Sequence, residues 1–209
     1  MSALLLLLAL GASPAAATPP RHPTGAERLG LSSDAQLALN RYGRCMAHDA
    51  GQTATRVLRQ DFTTRAYHTG LGALLDNNRQ CVPRGQTARF SGGGVLGAGA
   101  IAEGLLEKDS GALLATLAAR AATAPDQGFS PTDTAAICVV KRDVAGFRAL
   151  LGTEPASAQE KDAVSAMAPV LSQCLPAGQD FRFNRPGLRA ILALSAFRIA
   201  AGVTPAKQG

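Results

Sequence analysis

Apolar residues recur along most of this chain at the three- and four-residue spacing of an α-helix. From Ser33 onwards one face carries the first clear set: Ala35, Ala38, Leu39, Tyr42, Cys45 and Met46. Ser32 or Ser33 is a suitable N-cap for this helix, and Asp34 lies in its first turn. No useful length of chain alternates apolar and polar residues with the period of two that a half-buried strand shows. The pattern predicts an all-α protein.

Three more helices are predicted before residue 110. The second is short and contains Val57-Leu58, and the third carries apolar residues at i, i+4, i+7 and i+8 counted from Tyr67. This third helix ends near Cys81, because Pro83 cannot continue a helix. The fourth opens at the N-cap Ser91.

The same series of helices is predicted twice, because the sequence repeats itself. Cys45 and Cys138 lie 93 positions apart, and each is followed 36 positions later by a second cysteine. The segments Gln80–Phe90 and Gln173–Phe183, at the same offset, are identical at seven of eleven positions. The sequence therefore predicts a tandem duplication of a four-helix, disulfide-stapled unit.

Helix-start residues support the helices of the second copy. Ser130 precedes Pro131, which suits the first helical position, and Asn184 is equivalent to the N-cap of the first copy. Ser157 and Glu160 form a capping box at the start of a third helix, which is predicted to run unbroken to its cysteine.

These elements divide the chain into six segments. They are a signal peptide 1–17, a flexible leader 18–31, repeat 32–109, a linker with a helix 110–129, repeat 130–203 and a tail 204–209. The linking helix is predicted from Gly111 to Ala122.

The N-terminal segment has the pattern of a secretory signal peptide. An apolar run from Ala3 to Ala12 precedes Ala15-Ala16-Ala17, where cleavage is predicted after Ala17. The run is about half the ~20 residues that a membrane-spanning helix needs. The later apolar stretch Arg189–Val203 is also short, and Arg198 interrupts it. We expect a periplasmic or secreted protein with no transmembrane segment in the mature chain.

Four cysteines permit three pairings, and the spacing alone does not choose among them. The duplication favours Cys45–Cys81 and Cys138–Cys174, because each copy should fold alike. Each bond would add roughly 3–4 kcal/mol of stability in the loop-entropy model. Paired cysteines agree with an oxidising compartment.

Charge and aromatic content argue against a nucleic-acid partner. The formal net charge is +6, but the basic residues are spread singly among acids, and the chain has no Trp and two Tyr. Nucleic-acid surfaces usually carry a basic stripe, and single strands also require aromatic stacking platforms. The sequence therefore predicts no nucleic-acid binding.

The segment Gly92–Gly97 matches the glycine pattern of dinucleotide sites, but its context does not. No buried strand is predicted before it, and no acidic residue follows at the distance that contacts a ribose. The equivalent segment Asn184–Arg189 lacks most of these glycines. No cofactor is predicted, and Gly97, Gly99 and Gly104 are interpreted as sites of close helix packing.

Cys45, His48 and Asp49 would suit a nucleophile or a metal ligand set on one helix. Lys141 replaces His48 in the second copy, and no C-x-x-C or H-x₃₋₅-H pattern is present. His68 is interpreted as a solvated surface residue. No metal site is predicted.

Polar residues retained in both copies are the candidate binding residues: Gln86 and Gln179, and Arg89 and Arg182. Side chains at these places can satisfy the last carbonyls of a helix, which is the favoured interpretation. They can also line two equivalent pockets for an anionic ligand or a partner carboxylate.

Three short stretches carry a family resemblance: Arg41-Tyr42-Gly43-Arg44-Cys45, Cys174-Leu175 and Leu188-Arg189-Ala190. They resemble a group of exported proteins of unknown function from α-proteobacteria of the sphingomonad type. The resemblance implies a periplasmic location and supplies no catalytic residue.

A non-enzymatic role is favoured, in which the paired repeats bind a partner protein or an envelope component. The alternative is an envelope hydrolase whose site lies in the asymmetric parts of the first repeat, at His48, Asp49 and Gly92–Gly99. A thiol-active protein using Cys45 is a third possibility.

Overall fold

The computed structural model describes residues 31–82, 94–175 and 184–204, and over these ranges the chain folds into helices with no strand. The elements are α1 (Ser33–Asp49), α2 (Gly51–Leu58), α3 (Arg65–Asn77), a 3₁₀ turn (Arg79–Cys81), α4 (Val95–Thr123), α5 (Pro131–Arg142), α6 (Val144–Leu151), α7 (Ala158–Ala166), α8 (Ala168–Cys174) and α9 (Arg185–Ala200). The prediction of an all-α fold is confirmed. The predicted signal peptide, most of the leader and the N-cap Ser91 lie outside the described residues.

Predicted N-cap side chains begin the helices as expected, each accepting a hydrogen bond from the backbone N–H three residues ahead. The pairs are Ser32 with Ala35 (3.2 Å), Ser130 with Asp133 (3.2 Å), Ser157 with Glu160 (3.0 Å) and Asn184 with Gly187 (2.9 Å). The capping box differs in one bond. The Glu160 carboxylate accepts from the N–H of Ala156 at 2.9 Å rather than from Ser157.

Corresponding helices of the two halves keep the offset of the sequence repeat. Helix α6 begins and ends 93 positions after α2, and α7 begins 93 positions after α3. One prediction is wrong, because the third helix of the second half is two helices that meet at Met167 and Ala168. Pro169 follows directly and has no N–H to donate within a continuous helix.

Helix α4 joins the predicted fourth helix to the predicted linking helix across a sharp break. Its backbone leaves helical geometry at Lys108, and Asp109, Ser110 and Gly111 follow with φ of 53°, 59° and 75°. Such left-handed geometry is unfavourable for residues other than glycine. The break lies where the first repeat was predicted to end.

Both halves contribute to one hydrophobic core, in which α4 lies between α1 and α9. Glycine allows the backbones to approach closely at both contacts. A methyl group on Gly43 would collide with the Ala100 carbonyl, and one on Gly99 would lie 2.5 Å from the Cα of Ala190. The largest fully buried side chains come from both halves, among them Met46, Leu58, Ile101, Leu106, Phe147, Leu192 and Phe197.

One disulfide joins α1 to the 3₁₀ turn that follows α3, and the other joins α5 to α8. Cys45 pairs with Cys81 and Cys138 pairs with Cys174, each with a Cα–Cα distance of 5.6 Å. This is the pairing that the duplication favoured, and it leaves no free cysteine in the chain. Among the described residues, no helix has the length and apolar character to cross a membrane.

Candidate functional site

Four polar residues are the binding candidates that the sequence predicts. Gln86 and Arg89, and likewise Gln179 and Arg182, lie outside the described residues. Their role in binding or in capping stays a prediction from the sequence.

The asymmetric cluster on α1 does come together in the fold. The Oδ2 atom of Asp49 lies 3.6 Å from the sulfur of Cys45 and 3.9 Å from that of Cys81, and the Nδ1 atom of His48 lies 2.7 Å from Oδ1 of Asp49. Both sulfurs belong to a disulfide, so neither is a thiolate that could attack a substrate or bind a metal. His48 and Asp49 are exposed, as is His68 on α3.

The most unusual buried groups are two arginines on α9. Arg189 is 6% exposed and Arg198 is 4% exposed, although the rest of this helix packs apolar side chains into the core. A buried cation is costly unless carboxylates and hydrogen-bond acceptors surround it. The hydrogen-bond partners around each guanidinium group therefore determine whether its burial is fully compensated.

Arg189 has its hydrogen-bonding capacity fully used. Its Nε and Nη2 atoms donate to the two carboxylate oxygens of Glu103 at 2.9 and 2.5 Å, and Nη1 donates to Oε1 of Glu160 at 3.3 Å. The carbonyl oxygens of Leu150, Leu151 and Thr153 and the hydroxyl of Thr153 accept further bonds. Burial would lower the pKa of Arg189, but the bonds and charges of Glu103 and Glu160 outweigh it and raise that pKa.

Arg198 has fewer partners than Arg189. Its Nε donates to the Leu58 carbonyl at 3.2 Å, and its Nη1 donates to Oδ1 of Asp133 at 3.3 Å. The guanidinium carbon lies 4.9 Å from the ring centre of Phe62 and 5.4 Å from that of Phe129, which is cation–π geometry. The Nη2 atom is buried and has no hydrogen-bond partner in the part of the chain that the structure describes.

The two arginines both lie on α9, but the helix ends that they contact correspond by the 93-residue offset. Arg198 donates to the last carbonyl of α2, at Leu58, and Arg189 donates to the last carbonyl of α6, at Leu151, 93 positions later. Each cluster lies where the third helix of one half faces the first helix of the other half. The facing positions correspond in the same way: Tyr67 to Glu160, Asp133 to Asn40 and Phe62 to Pro155.

A cavity of about 340 Å³ adjoins Arg198, whereas the one beside Arg189 measures about 30 Å³. We call the larger one the Arg198 cavity. Its lining consists of Phe62, Tyr67, His68, Gly94, Val95, Ser130, Thr132, Asp133, Ile191, Leu194 and Arg198. Burial raises the pKa of Tyr67, with Arg198 opposing and Asp133 adding to that shift, so its phenol is a neutral hydrogen-bonding group at neutral pH. The cavity is lined mostly by apolar groups, with the ion pair of Arg198 and Asp133 at one wall.

The Asp133 carboxylate beside this cavity is held by three hydrogen bonds. Its Oδ1 accepts from the Ser195 hydroxyl at 3.0 Å as well as from Arg198, and its Oδ2 accepts from the N–H of Phe129 at 3.0 Å. These three donors fix the carboxylate in place. The arrangement suits binding better than proton transfer.

Sequence reasoning did not single out these groups. Arg189, Arg198 and Glu103 were visible as charged residues within apolar helical stretches, which is the one local indication of a buried ionic cluster. Their partners come from elements far away in the sequence, so no motif connects them. The chain matches no protein-family model, no curated protein and no solved structure.

Proposed function

We propose that this chain is an exported, non-enzymatic binding protein that takes a small, largely apolar molecule into the Arg198 cavity. The single observation that carries the proposal is the cavity itself. Its volume of about 340 Å³ falls within the range of ligand pockets, roughly 300–1,000 Å³. Mostly apolar walls with a few polar groups, here Tyr67, Asp133 and Arg198, are typical of such pockets.

Export is supported by the cysteines. All four are paired in two disulfides, which persist mainly in the periplasm or outside the cell. The signal-peptide pattern that ends at Ala17 supports the same compartment.

A tandem duplication accounts for the position of the cavity. Duplication first produces two equal clefts, and the offset of 93 residues between α2 and α6 supports such an origin. The cleft between α7 and α1 is filled by the ion pairs of Arg189, whereas the cleft between α3 and α5 remains a cavity. One copy thus serves stability and the other is available for a ligand.

The hydrolase alternative included Gly92–Gly99, of which Gly94 lines the Arg198 cavity but carries no side chain for catalysis. Its two candidate side chains, His48 and Asp49, have no comparable support. Both side chains are exposed on α1, and neither lines the Arg198 cavity. They pair with each other at 2.7 Å beside a disulfide, and among the described residues they contact no nucleophile.

Titration of the mature protein with the neutral fluorophore N-phenyl-1-naphthylamine tests the proposal. Thr132→Phe places a ring in the cavity. Leu39→Phe introduces the same ring at the equivalent position of the other half, beside the filled cleft. We expect saturable fluorescence enhancement in the wild type and in Leu39→Phe, and its loss in Thr132→Phe. Far-ultraviolet circular dichroism verifies that both variants fold. No saturable binding by the wild type, or equal binding by both variants, would refute the proposal.

A further inference from the structure

We propose that the ligand is an amphiphilic carboxylate, whose carboxylate accepts a hydrogen bond from Nη2 of Arg198 while its apolar part fills the cavity. A medium-chain fatty acid is the simplest molecule of this class. This inference rests on the proposed function and specifies the ligand of the same site.

The Arg189 cluster shows which partner Arg198 lacks. Arg189 binds two carboxylates, one from Glu103 on α4 and one from Glu160 at the start of α7. Arg198 binds one carboxylate, from Asp133. The residue equivalent to Glu160 is Tyr67 at the start of α3, which carries no carboxylate and lines the cavity. The place of the second carboxylate therefore opens onto the Arg198 cavity.

The unpartnered donor is positioned to recognise such a group. Arg198 is 4% exposed, lines the cavity, and is held by Leu58, Asp133 and the rings beside it, so its guanidinium is fixed in advance of binding. A buried N–H without a partner is unfavourable. A carboxylate is the strongest partner it can gain, because hydrogen bonds between charged groups are about twice as strong as neutral ones.

The rest of the cavity suits an apolar chain. Val95, Ile191 and Leu194 line its wall, with the ring of Phe62 next to the guanidinium. Val95 is 44% exposed, which makes it the one large hydrophobic residue that is exposed among those the structure describes. A ligand chain that covers it would bury apolar surface that now faces water.

A head-group series measured by isothermal titration calorimetry tests the inference on the unmodified protein. Octanoate, 1-octanol and octylammonium each contain eight carbons and differ in the charge of the head group. We expect octanoate to bind at least about tenfold more tightly than 1-octanol, and octylammonium to show no binding, since it offers Nη2 no acceptor. Equal affinity for octanoate and 1-octanol, or tighter binding of octylammonium, would overturn the inference.

A matched pair of variants tests the site. Tyr67→Glu supplies from the protein the carboxylate that Glu160 supplies to Arg189, and Tyr67→Gln has the same size without the charge. We expect Tyr67→Glu to weaken octanoate binding by about tenfold or more relative to Tyr67→Gln. Equal octanoate affinity in two folded variants would contradict the inference.

The two proposals fail in different ways. If N-phenyl-1-naphthylamine and 1-octanol bind in the cavity as well as octanoate does, the carboxylate inference is wrong and the proposed function stands. If none of the probes binds to the wild type, both are wrong.

Discussion

The contact between α4 and α9 predicts that Gly99→Ala destabilises the whole protein. A Cβ at this position would overlap the methyl group of Ala190 and lie 2.5 Å from its Cα and 2.8 Å from its carbonyl oxygen. Two of these three atoms belong to the backbone, so no side-chain rotation can relieve the overlap. The two helices must move apart, and the core shared by the two halves must open with them.

The expected loss is about 2 kcal/mol. Overpacking of a well-packed core typically costs about 1–3 kcal/mol, and a clash with backbone belongs to the upper part of that range. Replacing glycine by alanine in a helix returns up to about 1 kcal/mol. For a domain of this size each kcal/mol lowers the melting temperature by about 2–4 °C, so we expect a decrease of about 4–8 °C.

Gly72→Ala on α3 is the matched control, because a Cβ there meets no atom within 4 Å. This variant should be as stable as the wild type or more stable by up to about 1 kcal/mol. Urea unfolding followed by far-ultraviolet circular dichroism measures both variants. If Gly99→Ala is as stable as Gly72→Ala, or if one half unfolds separately and is unaffected, the account of a shared core is wrong.

Three further changes have defined outcomes in the same unfolding assay. Replacing Cys45 and Cys81 by alanine opens a loop of 36 residues and should cost about 3–4 kcal/mol, and no loss would contradict a structural role for this disulfide. Asp143→Ala removes the acceptor that lies 2.7 Å from the N–H of Gly146 at the start of α6, so a loss of about 1 kcal/mol is expected. Burial raises the pKa of Glu107 above its usual value of 4.5, in spite of the opposing charge of Arg44. The folded state therefore binds the proton more tightly than the unfolded state does. The contribution of Glu107 to the free energy of unfolding accordingly falls as the pH rises through and above 4.5. Glu107→Gln should accordingly gain stability relative to the wild type between acidic and neutral pH, and an opposite trend would show that the pair with Arg44 dominates.

The helices were predictable because their signals are local. Ser32, Ser130, Ser157 and Asn184 each cap a helix through a bond to a residue three positions away, and such a pattern is visible in the sequence alone. The disulfide pairing followed from the repeat, because the offset of 93 residues aligns all four cysteines. The signal for the break between α7 and α8 is Pro169, which is also local. The helical spacing of apolar residues on both sides of it favoured one continuous helix instead.

The arginine clusters were not predictable, because their partners are distant in the sequence. Arg198 donates to a carbonyl 140 positions away, and Arg189 donates to a carboxylate 86 positions away. Local reasoning reached only the negative statement that Arg198 interrupts an apolar stretch. Among the described residues, which arginine keeps a donor without a partner depends on Tyr67 and Glu160. The repeat aligns these two residues in the sequence, but only the fold brings each of them beside an arginine.

A crystal structure of the mature protein with octanoate tests the central claim most directly. The account predicts one carboxylate oxygen within hydrogen-bond distance of Nη2 of Arg198, and the alkyl chain against Ile191 and Leu194. Octanoate bound elsewhere on the protein, or an Arg198 cavity that excludes it at saturating concentration, would contradict the account.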